Sequence, residues 1–263
     1  VDIAPDTFIA GEESAVVSAI SGDRPVPRDK AVRVLERGVA GRPTLVQNVE
    51  TLANVALIAR YGAAWFRDAG TPDEPGTFLA SLSGGVRRPG VYEMPYGIHV
   101  GELLEAAGGP SEPLQALLVG GYHGAWVPAR PEIAISRAGL APYDAAPGAG
   151  VVMALPARQC GLAASARIVE YLAGERANQC GPCVNGLPSL AGTLTALSHG
   201  RSYPSVVAEF ERLSRLVVGR GACRHPDGTV RFLRSSLRTF ATEVNAHLAG
   251  WCTAGDAANG RSA

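Results

Sequence analysis

QCGPCVNGLPSLAGTLTAL, residues 179–197, runs from two spaced cysteines straight into a helical pattern. Leu187, Leu190, Leu194 and Leu197 recur at three- and four-residue steps, which puts them on one face of a helix. The same period appears on both sides of this stretch. CGLAASARIVEYLAGE (160–175) reads as a helix. YPSVVAEFERLSRLVV (203–218) aligns Val206, Phe210, Leu213 and Val217, and TVRFLRSSLRTFATEVNAHL (229–248) aligns Val230, Leu233, Leu237, Phe240, Val244 and Leu248. Four amphipathic helices with short connections predict a four-helix bundle over 158–250. A small, polar tail, 251–263, is expected to be disordered.

Upstream the period changes. TFLASLSG (77–84) alternates as a strand, RRPGVYEMP (87–95) turns at Pro-Gly into a second, and HVGELLEAAGG (99–109) is a short helix stopped by two glycines. ALLVGGYHGAWV (116–127) and GAGVVMALP (148–156) are glycine-bounded strands. Strands around one short helix predict a small α+β domain over 76–155. Residues 1–70 mix short apolar runs with helical pattern. GEESAVVSAI (11–20) opens a helix, and a longer one follows RPT (42–44), with Leu52, Val55, Ala56 and Ala59 as its stripe. The chain begins at Val1 with a strand-like run already in progress and no secretory signal pattern, so a piece of a longer protein is expected. DAGTPDEPG (68–76) reads as the linker between the first two zones.

Composition narrows the function. Of 263 residues, 24 are basic and 24 acidic, and 46% are hydrophobic. A neutral chain without a basic stripe gives no footing for nucleic acid or an anionic membrane. No apolar run reaches the eighteen or so residues that would insert in a bilayer. Five cysteines, at 160, 180, 183, 223 and 252, are an odd number in a chain too large to need a disulfide scaffold. Cys180-x-x-Cys183 therefore points to metal or redox chemistry.

Cys180 and Cys183 lie at the start of the second bundle helix, and Cys223 lies in the loop between the third and fourth. A bundle can bring those ends together. Thiolates there are favoured by the helix dipole, and soft thiolates select zinc or iron–sulfur clusters. His225 offers a fourth ligand, making a Cys₃His zinc set. Inert buried thiols and a Cys180–Cys183 disulfide are the other readings. Cys160 reads as core and Cys252 as free in the tail.

Four segments, in order, resemble the NADH-oxidising flavoprotein subunit of respiratory complex I and related subunits of NAD-linked hydrogenases and formate dehydrogenases. They are FIAGEESAVVSAISGDRPVPR (8–28), GRPTLVQNVETLANV (41–55, with Gln47 in place of an asparagine), LSGGVRRPGVYEMPYG (82–97) and QCGPCVNG (179–186) with Cys223. The resemblance implies an α+β multidomain fold: the C-terminal part of an FMN- and NADH-binding α/β domain, a β-grasp domain of the SLBB kind, and an iron–sulfur-binding helical bundle. It implies hydride transfer from NADH to FMN, then single-electron transfer to an iron–sulfur cluster. Carried over, Glu12 and Glu13 would lie near flavin and nicotinamide, Asn48 and Thr51 would contact FMN, and Cys180, Cys183 and Cys223 would ligate the cluster. Other electron-transfer subunits or a ferredoxin-like acceptor would be the partners, in the cytoplasm or peripheral on a membrane complex.

Two departures qualify this. The family's first cluster cysteine falls on Ala177, and the arginine after its last CxxC cysteine on Val184. Three thiolates leave a 4Fe-4S cluster needing an outside ligand, or leave a 3Fe-4S cluster. His225, Cys160, a water or a partner's thiol could stand in. The flavin-phosphate glycine loop of the family has no counterpart here, so this segment by itself is expected to bind FMN and NADH poorly. The alternative reading is a redox-inactive docking module whose cysteine site holds zinc or nothing.

Overall fold

A computed structural model describes residues 3–29 and 31–254. Residues 3–70 carry two helices, α1 (Glu13–Ile20) and α2 (Val49–Arg67). Each starts on a side-chain cap. The Glu12 carboxylate accepts the backbone N–H of Ser14 (2.8 Å) and Ala15 (3.2 Å). Asn48 Oδ1 accepts the N–H of Thr51 at 2.7 Å. No strand occurs among the described residues of this part. The strand-like run at the start is instead a 3-10 turn, Phe8–Gly11. Its Phe8 ring wedges between His123 (4.9 Å), His225 (5.7 Å) and Tyr171 (6.1 Å). The expected α2 stripe faces outward: no residue of α2 is buried, and Leu52 and Val55 are 54% and 57% exposed.

The middle part forms one five-stranded sheet from β1 (Thr77–Gly84), β2 (Gly90–Pro95), β3 (Leu114–Val119), β4 (Ala125–Pro128) and β5 (Val151–Pro156). The order is β2-β1-β5-β3-β4, with β1 and β5 parallel and every other pair antiparallel. This is a β-grasp arrangement. Helix α3 (Val100–Ala106) closes one face, and a short α4 (Arg137–Leu140) sits in the β4–β5 connection. Period-2 alternation sorts the strand residues. Leu117, Val119, Val127, Val152 and Ala154 join Val100 and Leu103 of α3 in one core. Ala116, Leu118, Trp126 and Leu155 point the other way, into the core of the helical part. RRPGVYE is the β1–β2 hairpin, where Tyr92 donates its hydroxyl to the Arg88 carbonyl at 2.7 Å.

The helical part has one helix more than the period suggests: α5 (Gly161–Gly174), α6 (Leu187–Ser198), α7 (Val206–Val217), α8 (His225–Thr239) and α9 (Ala241–Leu248). The expected last helix breaks at Phe240 (φ −103°, ψ 32°). The Phe240 ring lies edge-on to Trp126 at 5.3 Å and against Gly161, where an added Cβ would sit 2.4 Å from the ring. The break also turns Glu243 and His247 of α9 inward, where both are buried. The expected free tail is corrected in part. Cys252 and Ala254 pack against the helical core, while 255–263 lie outside the described residues. No described helix is long and apolar enough to cross a membrane.

Sheet and bundle meet at a histidine pair. His123, in the β3–β4 turn, lies 5.1 Å from His225 between ring centroids, and Arg231 donates to the His123 carbonyl (Nε 3.2 Å). Burial, then the His225 and Arg231 charges, hold His123 down at about 4. An unfolded histidine takes its proton near 6.5, so the unfolded chain binds more protons than the folded one between those values. Stability therefore falls with pH from about 6.5 to 4, by no more than roughly 3 kcal/mol for this half-buried ring. Urea midpoints at pH 7.5 and 4.5 measure it. His123→Gln is expected to flatten the acid loss, and an unchanged loss would assign it elsewhere.

Candidate metal centre

The three cysteines are delivered by two helix starts. After α5 the chain turns at Asn178, whose φ of 57° is a left-handed value that asparagine tolerates. Pro182–Gly186 then winds as a π-turn directly into α6. Such turns favour functional sites, because the extra residue re-aims side chains. Cys223 comes from the loop before α8, two residues ahead of its first residue, His225. Cys183 is 1% exposed and Cys223 6%, while Cys180 is half-buried.

Burial pushes the Cys183 thiol up to about 11, helped by its hydrogen bond with Cys180 and by the Cys180 and Cys223 sulfurs nearby; the Ala177 backbone pulls the other way. The Cys183 thiol thus lies beside those of Cys180 and Cys223 at one end of the bundle. The N-termini of α6 and α8 supply positive dipole ends there, suited to thiolates. Loading a metal displaces the thiol protons. Ala177 is 4% exposed and its backbone is hydrogen-bonded to the Cys183 sulfur, so the position of the missing ligand lies inside the site.

The proposed stand-ins fare differently. Zinc holds four sulfur or nitrogen ligands with neighbours about 3.8 Å apart. Among the described residues, Cys180, Cys183, Cys223 and His225 do not converge within 4.8 Å of one another. The Nε2–H of His225 donates to the Leu172 carbonyl at 2.8 Å, and the ring packs against His123 and Phe8. Cys160 cannot stand in. It caps the N-terminus of α5, whereas Cys180 follows its C-terminus; fourteen helical residues separate the ends by about 21 Å.

The candidate flavin residues are already engaged or apart. Glu12 and Asn48 are helix caps, and Asn48 and Thr51 are exposed. Glu13 lines a cavity of about 190 Å³ with Arg28, Arg33 and Arg37, which Asn48 and Thr51 do not reach. These four residues therefore do not close a flavin cradle by themselves. A contact invisible in the sequence ties their segment to the cysteines. Gln179, beside Cys180, donates to the Pro27 carbonyl at 2.8 Å, and the next residue, Arg28, donates its N–H to the Ser14 hydroxyl at 2.8 Å.

Residues 163–247 match the family described as the NADH-ubiquinone oxidoreductase-F iron-sulfur binding region, and residues 79–121 match the SLBB domain. The second NADH-quinone oxidoreductase F subunit of Rhizobium meliloti (strain 1021) is 34% identical over 245 residues, covering 92% of this chain and 58% of that protein. The NADH-quinone oxidoreductase F subunit of Escherichia coli (strain K12) is 32% identical over 251 residues, covering 91% and 55%. In structure, a chain of an NAD+-reducing [NiFe]-hydrogenase in the H2-reduced state superposes with a TM-score of 0.83 at 30% identity, over 92% of this chain and 42% of that one. The chain thus spans just over half the length of these curated relatives.

Proposed function

We propose that this chain, which is similar to NADH-quinone oxidoreductase F subunits and matches the SLBB domain and their iron–sulfur binding region, transfers electrons from NADH, by way of FMN, to an iron–sulfur centre held by Cys180, Cys183 and Cys223. The observation that carries this is the Cys183 sulfur lying beside those of Cys180 and Cys223 at two helix starts, linked through Gln179 and Pro27 to the segment that bears Glu12 and Glu13. A bound cluster supplies single-electron chemistry at a potential set by its charge, its burial and hydrogen bonds to its sulfurs. The protein supplies those three levers. Cys183 and Cys223 exclude water, the α6 and α8 dipoles offset thiolate charge, and the Ala177 backbone holds the Cys183 sulfur. With Ala177 in the fourth position, the residues fit a 3Fe-4S cluster, or a 4Fe-4S cluster completed by a ligand from outside the chain.

FMN and NADH would be held jointly with protein surface beyond these residues. The bare apolar side of α2 and the Glu13 cavity are where that surface would complete the site. A cytoplasmic setting, among other electron-transfer subunits or with a ferredoxin-like acceptor, fits this role. The test is visible absorption under anaerobic conditions. Dithionite is expected to bleach a brown chromophore, and an oxidised ferredoxin to restore it, whereas NADH without added FMN leaves this chain unbleached. A colourless protein would favour the redox-inactive docking module.

A further inference from the structure

We propose a second metal site, at the opposite end of α5, in which Cys160, His247 and Cys252 bind one zinc-type divalent cation. The fourth position faces the adjoining cavity and is held by an exchangeable water. The three donor atoms lie within 4.8 Å of one another, closer than the Cys180 trio. Cys160 Sγ is 3.4 Å from His247 Nε2. His247 Nδ1 lies 3.2 Å from the Leu197 carbonyl, which can only accept, so the proton sits on Nδ1 and Nε2 is left bare toward the sulfur. A backbone carbonyl that fixes the tautomer in this way is how metal-binding histidines are usually oriented.

The surroundings suit a cation. Cys160 and His247 are each 4% exposed, and Cys252 is half-buried. Cys160 accepts the Ala163 N–H at 3.4 Å from the first turn of α5, while burial and the Glu243 carboxylate push its thiol well up, so a bound cation has to displace the proton. Glu243 Oε2 sits 3.2 Å from the same sulfur and accepts the Leu162 N–H at 3.2 Å. It accepts from the Cys160 thiol and so is placed to hold that ligand in orientation. All three donors line a cavity of about 270 Å³ that also presents Arg167, Glu170, Thr195 and His199. Three protein ligands beside an open cavity is the pattern of zinc sites with an exchangeable position.

The site is independent of the proposed cluster, so the two separate in one experiment. Iron and zinc are measured on the same chain, purified without oxygen and supplied with zinc. About one zinc per chain is expected in the unsubstituted protein. Cys252→Ser, half-buried and near the chain's end, is expected to lose that zinc and keep its iron. Cys183→Ser is expected to lose iron and keep zinc, and cobalt substituted for that zinc should show a thiolate charge-transfer band that His247→Gln abolishes. Zinc that survives both Cys252→Ser and His247→Gln, no zinc at all, or a Cys160–Cys252 disulfide in the anaerobic protein would overturn the site.

Discussion

A chain carrying Ala177→Cys is expected to hold a complete four-iron cluster that resists air, where the unsubstituted chain yields about three irons or a labile fourth. Position 177 precedes Cys180 by the same three-residue step that separates Cys180 from Cys183. Its backbone already bonds to the Cys183 sulfur, and its methyl is buried. A thiol added there enters the site and not solvent. Without metal the extra sulfur overpacks the loop, at a cost of about 1–3 kcal/mol. With metal it completes the ligand set, so stability should become strongly iron-dependent. Iron per chain and the EPR of reduced and oxidised protein, before and after exposure to air, measure both effects. Identical iron content and lability in the two chains would mean that position 177 does not face the cluster.

Trp126→Ala is expected to cost about 3–5 kcal/mol, enough to threaten folding. Trp126 is fully buried, although it belongs to β4 of the sheet. Its ring packs on Phe232 and Phe240 of the helical part, at 6.3 and 5.3 Å, and its indole N–H donates to Ser165 Oγ at 3.0 Å. Its backbone N–H donates to Ser235 Oγ and its carbonyl accepts from Thr239 Oγ1. Truncation opens a cavity and leaves the Ser165 hydroxyl only its bond to the Gly161 carbonyl, so sheet and bundle lose their joint. Trp251→Ala, at an exposed ring, should change stability by less than about 0.5 kcal/mol. Urea denaturation compares the two. A loss below about 1 kcal/mol for Trp126→Ala would mean that the sheet and bundle fold independently.

Both predictions depend on features of unequal legibility. The sheet and most helices follow from local period and glycine stops, because each buries one face against the rest of the chain. That is why Leu187, Leu190, Leu194 and Leu197 identify α6 at sight. The α2 stripe misleads, since the period is the same whether the covering surface belongs to this part of the chain or to something else. The break at Phe240 has no glycine or proline to announce it; it is set by Gly161 and Trp126, far away in sequence. Cys180-x-x-Cys183 stands out in the sequence as a candidate metal motif because two thiols share one turn. The π-turn that aims them, and the Gln179–Pro27 bond, come from packing alone. Cys160 and His247 stand 87 positions apart and Cys252 lies beyond the last helix, so no spacing hinted at their meeting.

The most direct test of the central claim is iron and acid-labile sulfide per chain, with low-temperature EPR, on protein purified without oxygen and examined before and after dithionite. The account predicts roughly three to four irons per chain with matching sulfide, and a cluster signal that Cys183→Ser abolishes. Zinc alone bound by Cys180, Cys183 and Cys223, or no metal there, would contradict it and leave the bundle a scaffold.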